Sequence, residues 1–266
     1  MLNFFHTHLP QAVIFQLGPI SLRWYGLIMA IAIAAALLLT LALAKKKNVP
    51  QEQIVDAAFW TIIGGVIGAR IYEIFLEWPY YITNPDHMIR IWEGGLAIHG
   101  AIIGGAITLL IFFRKKRRVL LPTTGLFLPG LALGQAIGRW GNYFNQELFG
   151  RPTNLPWGIP ISPANRPESF LSYSHFHPTF LYESLLNLAL AIFLWNYVKQ
   201  KTWRPAWAIG LYMLSYGVIR FGLEFIKIDR TPVLVGLRWP QIISLLMAVI
   251  GFLLISFSHA KPQKHS

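Results

Sequence analysis

The sequence contains no cysteine and little charge. Only 13% of its 266 residues are charged, and 11 of them are acidic, whereas a soluble domain has about 25% charged residues. Without cysteine the chain has no disulfide, no thiolate nucleophile and no cysteine-based metal site. Any covalent chemistry must therefore use other side chains or a group that a substrate brings.

Several enzyme signatures are also missing from the sequence. It has no glycine-rich phosphate loop, no serine-centred nucleophile elbow and no HExxH element. The usual hydrolase mechanisms are thus disfavoured. We predict that the protein uses no metal and no cofactor.

Apolar residues dominate what is present. Hydrophobic residues make up 55% of the chain, and the mean hydropathy is +0.48, which indicates a polytopic membrane protein. A net charge of +12 would suggest nucleic acid in a soluble domain, but most basic residues cluster at the ends of apolar runs. That pattern reports membrane topology and anionic lipid, and it argues against a nucleic-acid partner.

The apolar runs predict an all-α protein with seven transmembrane helices in one integral-membrane domain, residues 1–266. The first run is too long for a signal-peptide core, and residues 1–22 are predicted to form a surface segment. Residues 140–178 contain a polar stretch rich in proline, asparagine and tryptophan, which predicts a small head on the outer face. The predicted spans are 24–44, 57–76, 94–113, 120–137, 179–198, 206–225 and 239–257.

The basic clusters predict the orientation. Thirteen of the 23 basic residues follow the first, third, fifth and seventh spans, and such clusters mark the cytoplasmic side. The N-terminus is therefore predicted outside and the C-terminus in the cytoplasm. The thirteen are Lys45, Lys46, Lys47, residues 114–118, Lys199, Lys201, Arg204, Lys261 and Lys264.

The most informative stretch is 138–150, because it concentrates polar side chains at a predicted membrane boundary. If it is helical, Arg139, Asn142 and Gln146 form one polar stripe that can present a fixed positive charge and hydrogen-bond donors to an anionic group. Interfacial anchoring by its aromatic residues is the alternative. Anchoring does not explain the carboxamides, so a site is favoured.

Other polar residues near span ends are candidates with open roles. His99, among glycines, is either a packed histidine or an acid/base or phosphate-binding group. Arg220 and Glu224 are four residues apart and favour a salt bridge, although intramembrane charges also mark substrate paths. Tyr182 reads as structural, and the role of Glu183 stays open.

Short motifs in order along the chain resemble the prolipoprotein diacylglyceryl transferase family. The 138–150 stretch is similar to the family signature G-R-x-G-N-[FY]-x-N-x-E-x-x-G at every fixed position. The resemblance extends over nearly the whole chain. The supporting elements are Trp24-Tyr25-Gly26, Gly68-Ala69-Arg70, Trp92-Glu93-Gly94-Gly95, Ile98-His99-Gly100, His177-Pro178-Thr179, Leu181-Tyr182-Glu183, Arg220-Phe221 and Glu224.

The resemblance implies a multi-pass enzyme of the bacterial inner (plasma) membrane. It would transfer the sn-1,2-diacylglyceryl group from phosphatidylglycerol to the lipobox cysteine thiol of a prolipoprotein signal peptide, releasing glycerol 1-phosphate. Membrane lipids are then its surroundings and its substrate source, and the nucleophile belongs to the substrate, which fits the missing cysteine. By resemblance, the catalytic candidates are His99, Arg139 and Arg220. The implied phosphatidylglycerol-binding residues are Arg139, Tyr25, Asn142, Glu147, Gly150 and Glu224.

Three positions depart from the family pattern, and two other functions compete. Gly125 stands where many relatives carry an acidic residue, Lys227 where an arginine is common, and Phe180 where a glutamine is frequent. At position 227, a lysine offers a point charge where an arginine would offer a planar fork of donors.

The alternative functions are another phospholipid headgroup enzyme, such as a phosphatase or synthase, and a non-catalytic lipid or ion carrier. A carrier should show inverted repeats, which the sequence lacks.

Overall fold

The structure is a computed structural model that describes residues 2–18 and 20–259. Lys261 and Lys264, which contribute to the orientation prediction, lie outside the described residues. The described chain is mainly helical, with three small antiparallel two-stranded sheets. The predicted all-α class therefore holds for its main elements.

The helices follow the predicted apolar runs with shifted ends. In chain order they are α1 Leu2–Thr7, α2 Trp24–Lys46, α3 Gln51–Leu76, α4 Trp78–Thr83, α5 Ile98–Phe112, α6 Arg117–Asn145, α7 Thr179–Val198, α8 Pro205–Glu224 and α9 Trp239–His259. The strands are β1 Val13–Leu17, β2 Ile20–Arg23, β3 Ile159–Pro160, β4 His175–Phe176, β5 Val233–Leu234 and β6 Leu237–Arg238. Single 3-10 turns occupy Pro85–Ile89, Ile91–Glu93, Pro163–Asn165 and Glu168–Phe170.

Six helices in the described part of the chain are long and apolar enough to cross a membrane: α2, α3, α6, α7, α8 and α9. In each of them, at most 44% of the apolar stretch is buried inside the protein, so apolar side chains cover much of the outer surface of these helices. A surface of that kind is stable in lipid and unstable in water. The protein is therefore a multi-pass membrane protein, and α5, with 15 residues, is the shorter apolar helix.

The chain divides into two compact units. The first comprises Met1–Thr40 and Gly125–Ser266, and the second comprises Leu41–Thr124. Small residues bring helices together in the first unit, where Gly210 on α8 faces Gly251 on α9 and Gly130 on α6 lies against Ala36 on α2. In a membrane, an apolar side chain gains little by moving from lipid to a neighbouring helix. Helix pairs are stabilised instead by the van der Waals contacts that such close approach allows.

The segment that follows α6 folds over the end of that helix. Its β3 and β4 pair antiparallel, with Ile159 opposite Phe176. Apolar side chains from α6, the segment and α7 form one buried cluster beneath it: Tyr143, Phe149, Ile159, Ile161, Phe176 and Phe180. This cluster fixes the segment relative to the ends of α6 and α7.

In the second unit, glycines allow α3 and α5 to touch backbone to backbone. A methyl group at Gly68 would overlap the Gly100 carbonyl oxygen and approach the Gly104 Cα to 2.8 Å. Gly64 lies at the same contact, since its added methyl would meet Thr108 of α5.

Arg70 of α3 holds the loop before α5 by its backbone. Its guanidinium donates to the carbonyl oxygens of Met88 at 3.0 Å, Gly94 at 2.6 Å and Gly95 at 2.8 Å. Its face also lies 5.2 Å from the Tyr81 ring centroid. The loop is thus held at several points by one buried cation.

Candidate functional site

The first unit contains a charged cluster of seven ion-paired side chains. It gathers residues from α6, α7, α8 and the connection to α9, which are far apart in sequence. The members are the cations Arg139, Arg220, Lys227 and Arg238 and the carboxylates Glu183, Glu224 and Asp229.

Glu183 is the hub of the charged cluster. It lies in the first turns of α7, and its side chain is 1% exposed. Its Oε1 is 3.0 Å from Arg139 Nε, and its Oε2 is 3.1 Å from Lys227 Nζ and 3.6 Å from Arg220 Nη1. A buried carboxylate is tolerated only when it is paired, and three cations supply that pairing here.

The second carboxylate, Glu224, joins α8 to the segment before α9. Its Oε2 is 3.3 Å from Arg220 Nη2, one helical turn away, and its Oε1 is 3.3 Å from Arg238 Nη1. Arg238 also donates to the carbonyl oxygens of Glu224 and Lys227 and contacts Asp229. The predicted pairing of Arg220 with Glu224 is therefore correct, and Arg238 completes it.

The cations and the carboxylates differ in exposure. The side chains of Arg139 and Arg220 are 23% and 19% exposed, whereas Glu183 and Glu224 are almost completely buried. The two arginine side chains therefore keep part of their surface accessible, while the carboxylates that pair with them are enclosed. Such a surface can accept an anion.

A hydrogen-bonded row connects Arg139 to the 138–150 motif. Arg139 Nη1 donates to Asn142 Oδ1 at 3.2 Å, and Asn142 Nδ2 donates to Glu147 Oε1 at 2.8 Å. Tyr25 of α2 has its ring against Gly141 and interacts electrostatically with both Glu147 and Arg139. Four of the residues implied by the resemblance, Tyr25, Arg139, Asn142 and Glu147, are therefore neighbours.

Gln146 does not extend the predicted polar stripe. Helix α6 ends at Asn145, and Gln146 has φ +52, so it leaves the helical face that carries Arg139 and Asn142. Its side chain instead donates to the Pro10 carbonyl at 2.7 Å and accepts from the Ser162 N–H at 2.6 Å. Gln146 thus ties the N-terminal segment to the segment after α6.

Gly150 lies at a junction of three backbone segments. Its N–H donates to the His177 carbonyl at 2.9 Å, and it is bridged to Lys227. An added methyl would lie 2.7 Å from Ile226 and 3.0 Å from Thr179. Gly150 is therefore tightly packed next to the segment that carries Lys227.

His177 precedes α7 and is hydrogen-bonded to Tyr182, whose hydroxyl lies 3.1 Å from its Nδ1. Trp157 Nε1 donates to the same hydroxyl at 2.9 Å. Burial lowers the pKa of the His177 imidazole from its ordinary 6.5, so the neutral ring is favoured. The structural reading of Tyr182 is consistent with these contacts.

His99 belongs to the second unit, in the first turn of α5. It is exposed, and its ring centroid is 5.9 Å from that of Tyr72 on α3. Among the described residues, no group of three or more histidine, aspartate or glutamate side chains could hold a metal ion.

The three departures from the family pattern have different surroundings. Gly125 packs against Trp203 and Pro205, about 21 Å along α6 from Arg139, so it lies away from the charged cluster. Lys227 is 4% exposed and pairs with Glu183, where burial lowers the pKa of its ammonium although the carboxylate opposes that shift. Phe180 packs in the aromatic cluster beside Tyr143.

An apolar groove of about 400 Å³ opens beside this site, between α2, α6 and α7. Trp24, Trp140 and Phe144 line one end, while Ile31 and Leu133 line the other. A groove with such walls can hold a hydrocarbon chain next to the charged cluster.

Sequence reasoning missed Glu183 as the hub and missed Arg238 altogether. The signal for Glu183 was its place in the Leu181-Tyr182-Glu183 element, and a buried carboxylate in an apolar helix needs cationic partners. Those partners lie 37 to 44 residues away in sequence, so helical spacing could not identify them.

Comparisons with known proteins find relatives that match most of the chain. Residues 12–257 match the family model described as prolipoprotein diacylglyceryl transferase. The chain is 41% identical over 247 residues to a phosphatidylglycerol–prolipoprotein diacylglyceryl transferase of Nostoc sp., covering 91% of this chain and 87% of that protein. It is 43% identical to the protein of that name from Gloeobacter violaceus, covering 91% and 90%, and 42% identical to that from Acaryochloris marina, covering 92% and 89%.

Proposed function

The chain belongs to the prolipoprotein diacylglyceryl transferase family, and from this premise we propose how its charged cluster takes part in the reaction. The protein is a transferase that moves the diacylglyceryl group of phosphatidylglycerol to a prolipoprotein. The proposed acceptor is the lipobox cysteine thiol in the signal peptide of a bacterial prolipoprotein.

The proposed chemistry is a substitution at carbon. The cysteine sulfur bonds to the glyceryl carbon that carries the phosphate ester, and the bond from that carbon to the ester oxygen breaks. The products are a thioether-linked sn-1,2-diacylglyceryl peptide and glycerol 1-phosphate, and the thiol proton passes to a base. The protein must hold the phosphate, stabilise charge on the leaving oxygen and assist removal of the proton.

Arg139 and Arg220 are proposed to bind the phosphate. The observation that carries this proposal is that both side chains are partly exposed, while the buried Glu183 and Glu224 pair with their guanidinium groups and Arg220 Nη1 is left without a hydrogen-bond partner among the described residues. A guanidinium stays charged in a poorly solvated place and offers paired donors to phosphate oxygens. Asn142 and Glu147 are proposed to orient Arg139, and Tyr25 is proposed to line the phosphate site beside Arg139.

His99 is proposed to take the thiol proton. The support is the family resemblance at Ile98-His99-Gly100 together with the ability of an imidazole to accept a proton near neutral pH. Arginine cannot do this, because its side chain stays protonated.

The two competing functions are less well supported. A headgroup phosphatase would use water as its nucleophile and would not need a peptide thiol. A carrier would be expected to have inverted repeats with broken spans. Relatives that carry the transferase name match about nine-tenths of the chain, which favours the transferase over both.

The finer topology is also a proposal. We propose seven spans, with α5 as the third, the N-terminus outside, the C-terminus in the cytoplasm and the 140–178 head on the outer face of the bacterial inner membrane. The basic residues after α2, after α5 and after α7 support this orientation.

The function is tested by mass spectrometry of a lipobox peptide incubated with purified protein and phosphatidylglycerol in detergent. The expected peptide gains the mass of one diacylglyceryl group, and Arg139→Gln lowers the rate at least about a hundredfold, the effect of losing one oxyanion-stabilising donor. The matched control is Arg118→Gln, at the exposed start of the same helix, which keeps the wild-type rate. Release of free diacylglycerol and glycerol phosphate without peptide modification would instead identify a headgroup hydrolase.

A further inference from the structure

One helical turn below the charged cluster lies a pair of neutral polar side chains, Gln135 and Tyr212. Gln135 Nε2 donates to the Tyr212 hydroxyl at 2.8 Å. Tyr212 is 7% exposed, and the remaining oxygen of Gln135, Oε1, is buried. Burying a polar group costs free energy unless the group is hydrogen-bonded. Polar residues kept inside a membrane protein therefore often have a function.

The pair is connected to Arg139 from two directions. Gln135 precedes Arg139 by four residues on α6, so both lie on one face of the helix. Tyr212 precedes Tyr216 by four residues on α8. Their rings are stacked, with centroids 5.8 Å apart and an interplanar angle of 6°. Arg139 in turn interacts electrostatically with the Tyr216 side chain. Gln135, Tyr212, Tyr216 and Arg139 thus form a loop: interactions lead from Gln135 through the two tyrosines of α8 to Arg139, and the α6 backbone connects its two ends.

The loop completes the set of contacts that orient Arg139. Glu183 fixes its Nε and Asn142 fixes its Nη1, but both act from within α6 and α7. Tyr216 is the contact from α8, and Tyr212 is the ring against which Tyr216 stacks. Since a guanidinium binds phosphate well only when its plane is aligned, the position of the Tyr216 ring affects how Arg139 faces its ligand.

We propose that Gln135 and Tyr212 are positioning residues for the transfer reaction: by fixing Tyr212, the Gln135 hydrogen bond holds Tyr216 and thereby sets the plane of the Arg139 guanidinium towards the phosphate. The inference rests on the proposed function. Neither residue touches the substrate, so their effect is confined to the phosphate end of the reaction.

The test uses Tyr212→Phe, which removes only the hydroxyl, and Gln135→Leu, which removes the amide. Each is expected to lower kcat/KM for phosphatidylglycerol roughly three- to tenfold, the usual effect of one neutral hydrogen bond. The inhibition constant of glycerol 1-phosphate should rise by a similar factor, because it reports the phosphate contact. The KM for the lipobox peptide and the melting temperature in detergent should stay unchanged, and the double variant should be no slower than either single variant.

The matched control is Tyr197→Phe, which removes a tyrosine hydroxyl that accepts the Arg204 N–H at 3.1 Å, at the opposite end of α7. It should leave all of these quantities unchanged. Wild-type kinetics in both Tyr212→Phe and Gln135→Leu would overturn the inference. So would a loss of activity with unchanged glycerol phosphate inhibition, or one that follows a lower melting temperature. In each of these cases the unmutated protein would still modify the peptide, so the proposed function would stand.

Discussion

At the scale of single residues, sequence spacing predicted contacts within one helix and failed between helices. The Arg139–Asn142 and Arg220–Glu224 pairs follow from spacings of three and four residues. Gln146 was placed on the same stripe as Arg139, which was wrong because the helix ends one residue earlier. Glu183 could not be assigned, because its three cationic partners come from other parts of the chain.

Arg139 and His99 should respond differently to pH. If His99 takes the thiol proton, His99→Gln should retain a residual rate that rises between about pH 6 and pH 9, because a cysteine thiol of ordinary pKa near 8.5 ionises unaided in that range. Arg139→Gln should be inactive throughout, since removing the phosphate contact does not depend on the state of the thiol. The measurement is the initial rate of peptide modification for both variants at several pH values.

Two results would contradict this division of roles. A pH-independent, wild-type rate for His99→Gln would exclude histidine as the base. Robust turnover by Arg139→Gln would exclude that arginine as the phosphate contact.

At the scale of elements, the apolar runs predicted where helices lie better than where they end. Helix α6 extends through Tyr143 to Asn145, beyond the predicted 120–137 span, because the aromatic residues of its last turns pack into the cluster below the following segment. Helix α5 is shorter than predicted: residues 94–97 form an irregular lead-in, with Gly94 and Gly95 at positive φ. Tertiary contacts and turn geometry decided both ends.

Helices α3 and α5 supply a prediction about packing. Gly68→Ala should lower the melting temperature in detergent, because the added methyl group meets the backbone of α5 and neither helix can yield without separating. The matched control is Gly65→Ala on the same helix, whose methyl would lie 3.4 Å from the Ala101 carbonyl, an ordinary contact. Equal melting temperatures for the two variants would show that the α3–α5 contact tolerates a side chain at Gly68.

At the scale of the whole molecule, the number of spans depends on α5. Its 15 residues rise about 22 Å, less than the roughly 30 Å of a bilayer core. The proposal that it crosses all the same, with the bilayer thinned around it, rests on the basic residues 114–118 immediately after it.

Reporter fusions decide between seven spans and six. Fusions after Lys47, Arg117 and Lys201 should all score as cytoplasmic if α5 crosses. If α5 does not cross, the chain reaches Arg117 and Lys201 on the side opposite to Lys47. A cytoplasmic Lys47 fusion with periplasmic Arg117 and Lys201 fusions would therefore overturn the seven-span topology.

The charge count of the cluster bears on turnover. Four cations and three carboxylates leave one positive charge. The phosphodiester of phosphatidylglycerol carries a single negative charge, so the occupied cluster is electrically neutral. The phosphomonoester formed on cleavage loses a second proton near pH 6, which leaves one negative charge in excess inside a poorly solvated site. On the proposed phosphate contact, the balance that suits the donor lipid thus disfavours retention of glycerol phosphate, and the same seven side chains would promote discharge of the water-soluble product.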